Sequence, residues 1–231
     1  MLACIALLPS FLKRPAYRWL FGYRIGKRVR VGLCIIDAED CEIADDVYIG
    51  HLNAVLKVKR LIIGDHVRIG NLNIIRGGDE VNLGRFCEII RLNEINSIPD
   101  PDVVNETDPR LLLGAGSIIT TGHKIDFTDR VEIGRRTIIG GRNSSLWTHN
   151  RQRTRPIEIG EFAYIGSEIR IAPGGALPSR CIVGIGSVIT SKLTEDEYLI
   201  AGVPAKAVKR LNEEDMFLIE RKTRPDLPDD I

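Results

Sequence analysis

Aliphatic residues return at every sixth position along most of this chain. The last run is the cleanest: Ile159, Ile165, Ile171, Leu177, Val183 and Ile189. Upstream the spacing gives Ile25, Val31, a weak place at Asp37, then Ile43, Ile49 and Val55. Two extra residues shift the phase to Ile63, Ile69 and Ile75, and two more to Leu83, Ile89 and Ile95. The pattern returns at Leu113, Ile119 and Ile125, then at Ile133 and Ile139. A helix repeats near 3.6 residues and a strand alternates at two, so neither alone makes this pattern. Six residues suit a strand of about four plus a tight corner, the aliphatic side chain turned inward. A small residue after it leaves room where the chain turns.

Three such strands form one coil of a triangular prism, and coils stack through parallel backbone hydrogen bonds. The phase shifts bracket groups of three or six hexapeptides, which close whole coils. The fold class expected is an all-β solenoid of hexapeptide repeats over residues 25–205. An arm, residues 1–24, precedes it. A segment over residues 206–231 follows, in which Asn212 and the acidic residues after it mark the start of a short helix covering the last coil. The tail beyond Pro225 is expected to fray.

The net charge of +1 gives no global steering toward nucleic acid. Its distribution is uneven. Residues 1–31 hold seven basic side chains and no acidic one, with Phe11, Tyr17, Trp19, Phe21 and Tyr23 among them. Pro9 and Pro15 limit any regular helix in the arm. Two readings of the arm stay open: packing over the end of the domain or against a neighbouring subunit, or peripheral contact with an anionic membrane surface. Residues 1–9 are apolar but too short to span a bilayer. Five scattered cysteines without CxxC or metal-ligand spacing read as buried thiols in a reducing compartment. The localisation expected is cytoplasmic, with a peripheral place at the inner membrane face under the second reading.

Two interruptions break the repeat. Residues 96–110, with three prolines and four acidic residues, read as a solvated loop, either a tolerated insertion or a wall of an acceptor site. Residues 143–155, NSSLWTHNRQRTR, carry Trp147, His149 and several cations on a loop projecting from a rigid stack. Of four histidines, His51 and His66 read as structural or surface groups. His123 stands as a second group near His149 or as a solvated corner residue. Asp126 and Asp129 either orient His149, bind acceptor hydroxyls, or hold turns.

Thr148-His149-Asn150, then Pro156-Ile157-Glu158-Ile159-Gly160, Tyr164-Ile165-Gly166-Ser167, Val183-Gly184-Ile185-Gly186-Ser187 and Gly202-Val203-Pro204-Ala205-Lys206 resemble the hexapeptide-repeat acyltransferases, sugar O-acetyltransferase type. The resemblance implies a left-handed parallel β-helix, a homotrimer with sites between subunits, and acetyl-CoA as donor. It implies a saccharide acceptor, in a polysaccharide or a lipid-linked sugar, near Trp147, Asn150, His123 and Asp126. It assigns the donor to Tyr164, Gly166, Ser167, Gly184 and Ile185, with Lys192, Lys206 and Lys209 meeting phosphates. Tyr164 stands where the family usually has Trp, and Thr190-Ser191-Lys192 where it has Thr-Lys-Asp. Transfer from a thioester needs a base near neutrality for the acceptor proton, and the His149 imidazole suits it; no protein nucleophile or metal is expected. An N-acetyltransferase on an amino sugar, a non-catalytic scaffold and a metal hydratase like the γ-type carbonic anhydrases are the alternative readings.

Overall fold

The structure, a computed structural model, describes residues 1–98 and 105–231. It is a left-handed parallel β-helix, as the repeat and the resemblance together led us to expect. Residues 99–104 of the acidic interruption lie outside the described residues.

Three rows of aliphatic side chains run the length of the prism in register. On the first face the row is Ile25, Ile43, Ile63, Leu83, Leu113, Ile133, Ile159 and Leu177. On the second it is Val31, Ile49, Ile69, Ile89, Ile119, Ile139, Ile165, Val183 and Ile200. On the third it is Ile36, Val55, Ile75, Ile95, Ile125, Leu146, Ile171 and Ile189. All are buried, so the hydrophobic effect acts along the whole axis through one continuous core.

Two positions differ from the sequence reading. Ile36, not Asp37, fills the first place on the third face, because the corner after Val31 is one residue shorter than the one from Ile49 to Val55 above it; the register then slips between Ile36 and Ala38, where the strand Cys34–Ile43 bends around the next corner. Leu146 fills a place that the count lost after Ile139, so the second interruption begins only after Trp147.

The glycines after the inward aliphatics answer a stacking demand. A Cβ on Gly64 would lie 2.7 Å from the Arg85 nitrogen of the next coil, closer than van der Waals contact allows. The turn itself is made two residues on, where His66 adopts φ 58°. Polar side chains also stack. Asn53 Oδ1 accepts from Asn73 N, Asn73 Oδ1 from Asn93 N and Asn93 Oδ1 from His123 N, each within 3.1 Å. The ladder occupies the corner between the second and third faces and satisfies backbone donors that would otherwise be buried unpaired.

The arm is helical. Helix α1 spans Leu2–Ala6 and α2 spans Ser10–Phe21. Pro15 lies inside α2 rather than ending it; its fixed φ is helical and only one backbone bond is forgone. Tyr17 is buried and stacks on Tyr23 with ring centroids 5.5 Å apart. Lys13 is buried too, donating to the carbonyls of Ala6 and Gly32. Burial holds its pKa below the ordinary lysine value, with Cys34 acting in the opposite sense.

At the other end, the hairpin Tyr198–Gly202 and Ala205–Arg210 closes the second face. Helix α3, Glu213–Glu220, starts with a capping box between Asn212 and Asp215 and leans on Arg180, whose guanidinium meets Glu220 at 2.6 Å. The tail does not fray. Leu227 and Ile231 pack on Phe86, and buried Arg224 donates to the carbonyls of His66 and Phe86 at 3.0 and 3.1 Å.

Cys34, Cys41, Cys87 and Cys181 are buried, while Cys4 is exposed on the arm. Desolvation pushes the Cys87 and Cys181 thiols up to about 12.

Candidate active site

The strand Lys124–Asp126 stacks beneath Ser145–Trp147, with Asp126 under Trp147. Immediately afterwards the upper chain turns back, and Thr148 and His149 close over the Asp126 carboxylate. His149 Nδ1 lies 2.7 Å from Asp126 Oδ2. The same oxygen accepts from Thr148 N at 3.0 Å, Thr148 Oγ1 at 3.1 Å and His149 N at 3.1 Å. Oδ1 accepts from Thr128 N at 3.1 Å and Thr128 Oγ1 at 2.6 Å. These donors satisfy the carboxylate oxygens at a position only 5% exposed. The carboxylate fixes the imidazole tautomer: Nδ1–H donates inward, and Nε2 keeps its lone pair for an incoming proton. The His149 side chain is 22% exposed, enough for a substrate to reach it.

The loop is rigid where it needs to be. Thr148 is fully buried and its hydroxyl also accepts from Asp129 N at 3.0 Å. An isolated antiparallel bridge joins His149 to Thr154. Asn150 Oδ1 accepts from Gln152 N and Arg153 N at 2.8 and 3.0 Å, capping the turn between them. Arg151, Arg153 and Arg155 stand exposed around it.

Trp147 is 43% exposed. It borders a cleft of about 150 Å³ with Glu94, Asn96, Ile98, Lys124, Ile125 and Asp126. A larger cleft of about 570 Å³ follows the same prism corner through earlier coils, from Asp37 and Glu39 past Lys57, Arg76 and Gly78 to Thr128. Thr128 links the two, since its hydroxyl accepts from Ile98 N at 3.0 Å while donating to Asp126.

No family model matches the chain. Over 60 residues it is 33% identical to galactoside O-acetyltransferase of Escherichia coli (strain K12), covering 26% of this chain and 29% of that protein. Over 105 residues it is 28% identical to WbbJ of the same strain, named as a lipopolysaccharide biosynthesis O-acetyl transferase, covering 37% of this chain and 53% of that protein.

These partial matches agree with the resemblance to the hexapeptide-repeat acyltransferases.

The matched stretches span about half the length of these relatives or less. Among solved structures, a hexapeptide-repeat-containing acetyltransferase from Vibrio cholerae O1 biovar eltor, complexed with acetyl coenzyme A, covers 92% of this chain and 88% of its own, with 16% identity and a TM-score of 0.41. LpxA from Bacteroides fragilis 9343, a UDP-N-acetylglucosamine acyltransferase, covers 81% and 70%, with 17% identity and a TM-score of 0.48.

The residues that the family resemblance assigned divide into groups. Asp126 sits under His149, buried, with both carboxylate oxygens engaged within the chain rather than open to an acceptor hydroxyl. Asp129 takes the turn role, its Oδ1 accepting from Asp108 N and Arg130 N. His123 is fully buried in the asparagine ladder. Its Nδ1 accepts from Ser144 N at 3.2 Å and its Nε2 meets Thr120 Oγ1 at 2.9 Å, so the structure does not bring it to an acceptor. Burial lowers its pKa to about 4. Asn150 holds the loop. Thr128 and Thr148, which sequence reasoning gave no role, anchor the pair; their only signal was adjacency to Asp126 and His149.

Tyr164, Gly166, Ser167, Gly184 and Ile185 gather at the corner between the second and third faces. There Ile185 is 74% exposed, and the Ser167 carbonyl is already taken by Gly186 N at 3.0 Å. Lys206 lies exposed on the outermost strand, paired in register with Ala201. Lys209 meets Asp215 at 3.4 Å. Lys192 does not join them. It borders a different cleft, with Glu132, Glu158, Glu161 and Asp196, where four carboxylates disfavour a phosphate. No group of three or more His, Cys, Asp or Glu side chains among the described residues is placed to hold a metal.

Proposed function

We propose that this chain transfers an acetyl group from acetyl-CoA to a hydroxyl of a saccharide. The observation that carries this is the Asp126–His149 pair, with Nδ1 held inward at 2.7 Å. His149 Nε2 takes the acceptor proton as the hydroxyl oxygen bonds to the thioester carbonyl carbon. The carbon–sulfur bond then breaks, and the imidazolium returns the proton to the departing thiolate. Such a base contributes typically about 10²–10⁴-fold.

His149 and the Gly166–Ile185 corner lie on different edges of the prism, one face apart. At about 3.3 Å per residue, a five-residue face separates them by roughly 16 Å. One chain therefore does not unite them, which supports a homotrimer in which His149 of one subunit faces the donor corner of its neighbour. The cleft running along the His149 edge supports an extended saccharide acceptor rather than a lone monosaccharide. The names of the two E. coli relatives, both O-acetyltransferases, agree with hydroxyl acceptors.

The test is release of free CoA from acetyl-CoA in the presence of hydroxyl-bearing and amino saccharides, with His149→Ala alongside. Transfer to a hydroxyl that falls at least about a hundredfold in the variant is expected. Undiminished activity in His149→Ala removes the mechanism, and transfer confined to amino groups removes the hydroxyl acceptor.

A further inference from the structure

We infer that the N-terminal end of the prism is a docking face for an anionic lipid bilayer. Helix α2 presents two unlike sides. Its inner side carries Lys13 and Tyr17, both buried against the first coil. Its outer side carries Phe11, Leu12, Pro15 and Trp19, all exposed and spaced so that they form one stripe. Phe11 is 75% exposed and Trp19 89%. Leu7, 76% exposed, extends the apolar surface from the turn before α2. Burying no apolar surface with such large side chains has a cost unless something covers them.

The charge on this end states what covers them. Arg14 and Arg18 flank the stripe and make no ion pair among the described residues, whereas Arg24 and Arg28 farther on are paired with Asp40, Glu42 and Asp46. The first acidic residue in the chain is Asp37. A second copy docking end to end would set Arg14 and Arg18 against the same cations, a repulsive match. A surface that is negative outside and apolar just beneath fits both features: guanidinium groups on phosphates, and Trp and Phe rings at the boundary between headgroups and acyl chains. No helix among the described residues is long and apolar enough to cross a membrane, so this contact lies in the interface plane. It does not depend on the chemistry of His149.

The experiment uses the full chain and two vesicle populations, phosphatidylcholine alone and phosphatidylcholine mixed with phosphatidylglycerol. Co-sedimentation with the mixed vesicles only, weakening as salt is added, is the expected result. A shift of tryptophan emission to shorter wavelength should accompany it and be absent from Phe11→Ser/Trp19→Ser, which should also stay in the supernatant. Arg14→Gln/Arg18→Gln should lower the partition roughly thirtyfold, about fivefold per cation. Phe11, Arg18 and Trp19 are exposed and Arg14 is half-buried, so both variants should unfold near the wild-type temperature. Failure to sediment with anionic vesicles at low salt overturns the proposal, as does equal partition of Phe11→Ser/Trp19→Ser. So does end-to-end association of the wild type in sedimentation velocity that the same variant abolishes, because a second copy then covers the face.

Discussion

His123 makes the stability of this protein sensitive to acid, and His123→Asn should remove that sensitivity. In the folded chain Nδ1 accepts from Ser144 N, which leaves the proton on Nε2, facing Thr120 Oγ1. A second proton on Nδ1 would point at an N–H donor inside a fully buried site. Accordingly the folded pKa falls from 6.5 to about 4, with burial as the main cause. Below pH 6.5 the unfolded chain takes up a proton that the folded chain refuses until about pH 4. Stability therefore declines as pH falls through that window and levels off beneath it. The full shift amounts to about 3 kcal/mol, of which roughly 2.5 is lost by pH 4.5. Asparagine cannot titrate, and it continues the ladder of Asn53, Asn73 and Asn93, its Oδ1 taking Ser144 N. Its smaller volume costs on the order of 1 kcal/mol at neutral pH. Urea unfolding at pH 7 and pH 4.5 measures both proteins, and titrations elsewhere in the chain cancel between them. The wild type should lose about 2.5 kcal/mol more than the variant. Equal losses in the two proteins would refute the reasoning, since His123 would then titrate alike in both states.

Two further substitutions probe the site and the tail. Asp126→Asn should lower kcat by about 10²–10⁴ with little change in KM, because the amide donates toward Nδ1 and turns the Nε2 proton outward; steady-state kinetics with the saccharide acceptor reads it. Arg224→Ala should lower unfolding stability by about 3 kcal/mol, since two carbonyls lose their buried donor; the midpoint of denaturant unfolding measures this.

Much of the fold was legible because the inward rows obey a local rule. An aliphatic every six residues marks a face whatever lies on the coil above. That rule failed at Asp37, where the corner after Val31 is one residue short and brings Ile36 inward, and after Ile139, where Leu146 returns seven residues on. The site was legible only in part for a related reason. His149 announces itself by residue type and loop position, but its partner is set by which residues stack across coils. Asp126 and Asp129 are equivalent in sequence, and only the register Asp126↔Trp147 places one carboxylate under the returning chain. The arm misled through its prolines: helix α2 tolerates Pro15 because packing of Tyr17 and Lys13 outweighs one lost backbone bond.

That register depends on the corner before it. Between Thr121 and Arg142 the pairing shifts by an extra residue, and Asn143 turns the chain at φ 61°. The insertion explains why the count breaks before Leu146. Deleting Asn143 therefore tests the link between fold and site. Restoring the six-residue spacing leaves two outcomes: the corner tightens as it does between Ile119 and Ile125, or Leu146 slips, and a one-residue slip exchanges inward and outward side chains. If Leu146 leaves the core, about 2–5 kcal/mol of stability goes with it. If the corner tightens instead and Leu146 stays, stability is spared but Thr148 and His149 no longer meet the Asp126 carboxylate as they do now. Either way, transfer activity should fall to the level of His149→Ala. A deletion variant with wild-type unfolding and wild-type turnover would show that the extra residue at this corner is not what sets the pair.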